Sequence, residues 1–348
     1  MNLIRTALAV SLALIAVACG SSGPDRADTL AALADEHVVP AYAAFAADAA
    51  VLRDTTEALC ASPSDATLAT AQDAMIAARA SWKVTEAMWV GPVMDRRSFT
   101  LIDWRTSTDQ IESLIANLDL TIDPELLAKS IGSDQRGLGA LEYLLFTEPV
   151  LAALENDRRC AYASGLAVVI DDEAQGIVEA WVDGQDGEPP FTESFPVENN
   201  RHLDALVNDQ LIMLRKMASA ELGGALGFMP TEPGAEALIE GPAGIGRTDF
   251  VQRLAGLRAS LIGVGDGGLA PNLSDGLVER LTTALDASED ALAAVPDGPI
   301  RVTFDADPDA LSSLRDALDE VRGLVATEVV SELGVAVGFS DADGDSGG

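Results

Sequence analysis

Histidine is almost missing from this chain: two in 348 residues, His37 and His202. A His-Glu-x-x-His zinc site is therefore excluded. Each histidine reads as a solvated or core side chain. Basic residues are scarce as well, with 22 Lys and Arg against 56 Asp and Glu and a formal charge of −34 at pH 7. Such a surface repels nucleic acid and anionic lipid head groups, so no nucleic-acid partner is expected. Solubility is the plain reading of that charge, and capture of cationic ligands or metal ions is the sharper one. Aromatics are only 5 %, although hydrophobic residues reach 48 % and the mean hydropathy is +0.18. That is too apolar for a disordered chain, and its alanine and leucine favour helix over sheet. No phosphate-binding glycine loop, Gly-x-Ser-x-Gly elbow or dinucleotide fingerprint is found.

Cysteine is also rare, with three in the chain. The first ends a leader: Arg5, an apolar run from Ala7 to Ala18, then Cys19. The run is too short to span a bilayer as a stable helix, so residues 1–18 read as a secretory signal. Ala16-Val17-Ala18 suits ordinary signal cleavage and also forms an imperfect lipobox before a lipidated Cys19, with residues 19–28 as tether. The lipoprotein is the preferred reading. With no Asp after Cys19, the expected location in a Gram-negative cell is the outer membrane, facing the periplasm. Cys60 and Cys160 then remain as one pair in an oxidising compartment. Bridged, they would close a loop of about a hundred residues, worth ~4–5 kcal/mol in the chain-entropy model. Two buried free thiols are the alternative.

Apolar periodicity marks a long helix over Thr29–Ala61, with Tyr42, Phe45, Ala49, Leu52 and Leu59 on one face and Pro40 as kink or true start. Ser64 or Asp65 caps a second helix to about Val90, and Gly91-Pro92 ends it. Further helices are expected at Ser98–Asn117, Pro124–Ile131, Gln135–Phe146, Pro149–Trp181, Val197–Leu222, Thr248–Ile262, Ser274–Ala294 and Asp307–Leu333. Asp307 should cap the last, with Pro308 as its first residue. Pro299–Phe304 is the one place for a short strand. Asp183–Pro196 breaks the pattern and is either a linker or a loop packed through Phe191 and Phe195. The fold class is all-α: two packed helical bundles, residues 29–184 and 197–345, with 185–196 between them. Asp341–Asp345 reads as an acidic terminal turn, because the chain ends too soon for a calcium loop.

The most telling stretch is Gln135–Phe146, QRGLGALEYLLF. It has the frame of a Gly-x-His-x-x-Glu motif, with Gly137 and Glu142 in the outer positions and Gly139 where the histidine belongs. On a helix, a His three residues before a Glu shares its face, so the intact motif presents imidazole and carboxylate together. Glycine supplies neither ligand nor base. The stretch resembles the motif region of the imelysin family, the insulin-cleaving membrane-protease-like proteins of bacterial envelopes. His37–Leu52, Ser81–Arg105, Leu206–Gly227 and Leu333–Asp345 resemble segments of the same family in the same order, while Glu232–Pro299 fits less clearly.

The resemblance implies two related bundles with the motif near the cleft between them, and an envelope role linked to iron acquisition. Some relatives are described as peptidases, and the missing histidine counts against that chemistry here. The leading expectation is a non-catalytic lipoprotein, bound to the membrane by its lipid, that engages a ligand or envelope iron-uptake proteins. Its cleft candidates are Arg136, Gly137, Gly139 and Glu142, with Asp103 and Trp104 as a polar-aromatic wall. Arg136 is expected to pair with Glu142 or bind an anion. Trp82 and Trp89, two turns apart, read as core. Asn208-Asp209 reads as structural. No cofactor is assigned. A metal-dependent peptidase and an envelope scaffold without a small ligand are the alternatives.

Overall fold

A computed structural model describes residues 25–263 and 267–338. The leader, Cys19, most of the tether and the acidic ending Asp341–Asp345 lie outside the described residues. Among the described residues every regular element is a helix, and the only β pairing is an isolated bridge. The fold is all-α. None of these helices is long and apolar enough to cross a membrane.

Helix α1 (Arg26–Leu33) begins where the Asp25 side chain accepts from the Ala27 N–H, and it runs into α2 (Val39–Ala61) through a wide turn at Ala34–Val38. Pro40 has no N–H to donate and its ring crowds the turn before it, and the chain meets this with a wider helical turn rather than a break. Ser64 starts α3 (Asp65–Thr85) in a reciprocal cap with Thr67. The Cys60–Cys160 disulfide, 100 residues apart in sequence, joins the end of α2 to the start of the 26-residue helix over Asp157–Val182. α2 packs against both α3 and that helix. Tyr42, Phe45, Trp82 and Trp181 are fully buried, and Trp82 lies 5.0 Å from Phe45 and 5.4 Å from Trp89 between ring centres.

Three expectations need correction, the third in the chain after the motif helix. The helix expected at Ser98–Asn117 is broken into Phe99–Ile102 and α4 (Thr108–Ala116). Between them the backbone extends, and Asp103 bridges Gly137 at the start of the motif helix α5 (Gly137–Phe146). Gly137 holds φ +83°, and a Cβ there would lie 2.5 Å from the Ile102 carbonyl oxygen, so the approach depends on glycine. The short strand expected at Pro299–Phe304 is a helix, Ile300–Ala306. The Glu240 carboxylate accepts from the N–H groups of Ile300 and Arg301 at 2.9 and 3.2 Å. A distant loop thus supplies the helix cap that local sequence lacks.

The helix expected at Pro149–Trp181 is also broken: a short helix at Val150–Ala153 is followed by α6 (Asp157–Val182), which Asn156 caps by accepting from the Arg158 N–H. Along 191–195 it lays Phe191 and Phe195 edge-on against Trp181, at 4.8 and 5.4 Å. His202 is buried beside Phe195 with Nδ1 3.0 Å from the Phe195 oxygen, which makes it a core side chain. His37 is half-buried in the wide turn before Pro40.

The C-terminal part comprises α7 (Asn199–Arg215), continued by a wide-turn segment at Lys216–Gly223, then α8 (Gly246–Leu261), α9 (Asp275–Ala294) and α10 (Pro308–Leu324). Asp307 caps α10 through the Ala310 N–H at 3.2 Å. Gly334, left-handed at φ +63°, ends the helical stretch that follows. α3 is common to both parts, packing on α2 and on α8. A Cβ on Gly256 would come within 2.0 Å of the Val84 oxygen, so α8 touches backbone at the end of α3.

Candidate ligand-binding site

The seam between α3, α5 and α8 is filled by charge. Arg79 and Lys83 are one turn apart on α3, and Asp249 and Arg253 are one turn apart on α8, so each pair shares a helix face. Arg79 Nε donates to both Asp249 oxygens at 3.1 and 3.0 Å, and Nη2 donates to Oδ2 at 2.8 Å. Its Nη1 reaches Glu142 Oε2 at 3.3 Å and lies 3.6 Å from Asp103 Oδ1. Lys83 bonds Glu86 and Asp103. Arg253 Nε donates to Glu86 Oε2 at 2.7 Å, and Nη1 donates to Glu221 Oε1 at 3.0 Å. The other Glu142 oxygen accepts from the Ala243 N–H at 3.0 Å. The loop that brings Ala243 closes over Glu142 so tightly that a Cβ on Gly241 would lie 2.4 Å from the carboxylate. Glu142 is 1 % exposed.

Burial and pairing pull these groups apart. Burial pushes the Glu142 carboxyl above its usual value, with Arg79 and the Ala243 N–H pulling the other way. Burial also opposes ionisation of Asp103 and Glu86, but Lys83 and Arg79 hold Asp103 low, and Arg253 and Lys83 hold Glu86 low. Desolvation pushes half-buried Asp209, which accepts from the Trp89 N–H at 3.1 Å, well up. Asn208 ties down the stretch at residues 336–338: it donates to Asp204 O and Ala336 O and accepts from the Gly338 N–H.

The six cleft candidates go to different places. Asp103 and Glu142 meet through Arg79. Gly137 holds the backbone of Asp103. Arg136 does not pair with Glu142; its guanidinium donates to the carbonyls of Thr100, Leu127 and Ala128, tying down the chain before the motif. Trp104 lies at an open cavity of about 380 Å³, lined by Trp104, Arg105, Thr106, Ser107, Ser133 and Asp134, and Gly139 sits behind Thr106. At Gly139 a Cβ would fall 2.3 Å from Thr106 Oγ1 and 3.6 Å from Trp104 O. The space a motif side chain would enter is therefore held by Thr106. Sequence reasoning missed Arg79, Lys83, Glu86, Glu221, Asp249 and Arg253. Their signal was charged residues spaced by four inside alanine- and leucine-rich helices, which also describes ordinary solvated faces.

The donor set does not suit a metal ion. Among the described residues no group of three or more His, Cys, Asp and Glu is arranged to hold one. Around the motif the Glu142 oxygens are satisfied by a guanidinium and a backbone N–H, and Gly139 adds no donor.

An all-helical protein whose glycine-framed motif helix is clamped to its neighbours by a buried ion network is the class this architecture defines. The imelysin family model matches residues 38–327, and the chain belongs to the imelysin family. It is 27 % identical over 239 residues to the iron-regulated protein A of Synechococcus elongatus, an alignment covering 64 % of this chain and 62 % of that protein. The chain thus matches less than two thirds of that relative's length. Among solved structures it resembles an imelysin-like protein from Psychrobacter arcticum (TM-score 0.71, 20 % identity, 90 % of this chain and 97 % of that one). It also resembles a Parabacteroides distasonis protein assigned as an iron-regulated protein A precursor (TM-score 0.74, 15 % identity, the same coverage of both chains). At these identities the structures speak for the fold.

Proposed function

We propose that this chain is a non-catalytic binding component of the bacterial cell envelope, exported, held by a lipid on Cys19 at the outer membrane, and working beside iron uptake. The observation that carries the non-catalytic reading is the state of the motif carboxylate. Glu142 is sealed from solvent, one oxygen on Arg79 and the other on the Ala243 N–H, with no imidazole beside it. A general base must reach the proton it takes, directly or through one water, and this carboxylate faces only its own protein. The link to iron is supported by likeness to proteins named as iron-regulated. Arg136–Glu142 and Asp103 then serve to hold the chain segments around the site together, and the open cavity at Trp104 is where a ligand binds.

The test is incubation of the mature protein with insulin, with and without added ferrous and zinc ions. Intact insulin is the expected result. Cleavage that disappears in Glu142→Gln would overturn the non-catalytic reading and restore the peptidase.

A further inference from the structure

Arg105 and Asp134 line one cavity and do not meet. Neither forms an ion pair among the described residues, although this chain pairs most of its arginines. Asp134 Oδ2 accepts only the neutral Gln110 amide, at 2.8 Å, and its backbone oxygen accepts from the Ser107 N–H at 2.7 Å. Three hydroxyls share the wall, those of Thr106, Ser107 and Ser133, and none has a hydrogen-bond partner among the described residues. Ser107 stands at the N-cap of α4 without capping it. Trp104 supplies the one large apolar surface, its ring held 5.9 Å from Phe99.

We propose that this cavity binds a free α-amino acid. The ligand carboxylate lies on the Arg105 guanidinium and the Thr106 and Ser107 hydroxyls, its ammonium on Asp134, and its side chain along Trp104. The charges on the wall select this class. A simple anion would meet Asp134 and a protein of charge −34, and a simple cation would meet Arg105. A zwitterion carries no net charge into that field and satisfies both groups, leaving neither unpaired in the complex. The volume of about 380 Å³ falls at the small end of the roughly 300–1,000 Å³ common for small-molecule sites. Gly139 belongs to the same design: a Cβ there would lie 2.3 Å from Thr106 Oγ1 and turn that hydroxyl away, so the glycine leaves it its present position.

The proposal rests on the non-catalytic binding reading above, naming the ligand class for that site. It is tested by calorimetric titration of the mature protein with L-phenylalanine, acetate and inorganic phosphate. Saturable one-to-one binding of phenylalanine is expected, with neither acetate nor phosphate matching it. Arg105→Ala and Asp134→Asn should each weaken it at least about tenfold, by loss of a charge-assisted hydrogen bond. Arg215→Ala removes the same charge from an exposed arginine outside the cavity and should leave it unchanged. The proposal is overturned by absence of saturable phenylalanine binding, by phosphate or acetate binding as tightly, or by equal losses in Arg105→Ala and Arg215→Ala. A free amino acid has no peptide bond to cleave, so this outcome is separate from the insulin result that would sink the non-catalytic reading.

Discussion

Arg79→Met is the sharpest test of the buried network. Arg79 is 3 % exposed and faces three carboxylates, Asp249, Glu142 and Asp103. Methionine has a comparable unbranched stem, so the substitution keeps much of the packing and removes the charge. Asp103 retains Lys83, but Asp249 loses the ion pair it forms with Arg79, and Glu142 keeps only the Ala243 N–H. Breaking one side of a buried pair costs about 3–5 kcal/mol, because the remaining charge is left desolvated. For a domain of this size class that is a fall in Tm on the order of 10 °C. The cost is specific to the broken pair, so the double variant Arg79→Met/Asp249→Leu should recover part of it, with a coupling energy above about 1 kcal/mol. Urea unfolding of the wild type, both single variants and the double variant measures this. A loss below about 1 kcal/mol in Arg79→Met, or strict additivity in the double variant, would show that the network is solvated in solution and that Glu142 is accessible.

Glu142→Gln should change how stability depends on pH. The folded-state pKa of Glu142 is raised, so the native state holds its proton more tightly than the unfolded chain, and wild-type stability relative to the variant falls as pH rises from 4.5 upward. Unfolding at pH 4, 5.5 and 7 checks the sign, and a rising difference refutes it. Gly137→Ala meets both a positive φ and the Ile102 oxygen, so a loss of about 1–3 kcal/mol is expected in thermal or urea unfolding. A neutral result would mean that the Asp103–Gly137 approach is loose. Reducing the Cys60–Cys160 bridge, or replacing both cysteines by serine, should cost about 2–5 kcal/mol, read from unfolding under matched conditions; unchanged stability would count against a bridged native state. Cys19→Ser should move the protein from the membrane fraction to the soluble envelope fraction, and unchanged membrane retention would remove the lipid anchor from the proposal.

Local chemistry was enough for much of the fold. Alanine- and leucine-rich periodicity and the Ser64 and Asp307 caps each act within a few residues, and the helices they mark are present; α3 ends at Thr85, ahead of Gly91-Pro92, which instead starts the short helix Pro92–Asp95. The Cys60–Cys160 pairing was the expectation drawn from the number of cysteines and from reading the apolar leader as an export signal, and the bridge is present. Where the sequence misled, a distant partner had overridden local preference. Asp103 left a helix to pair with Gly137, and Glu240 capped a segment whose valine, threonine and phenylalanine had suggested a strand.

The candidate site divides in the same way. That Gly139 brings no side-chain ligand or base to the helix of Glu142 was plain from the sequence, because residue identity needs no coordinates. That Arg79, and not Arg136, would meet Glu142 was not legible. Both arginines are plausible partners by type, and only the packing of α3 against α5 and α8 decides which guanidinium is buried beside the carboxylate. The sequence alone determined the helical class, the family frame and the glycine at position 139, since these depend on residue type and short-range spacing. The tertiary structure decided that Glu142 is sealed within an ion network and that Arg105 and Asp134 share an open wall, since burial and charge pairing arise from contacts between residues remote in the chain.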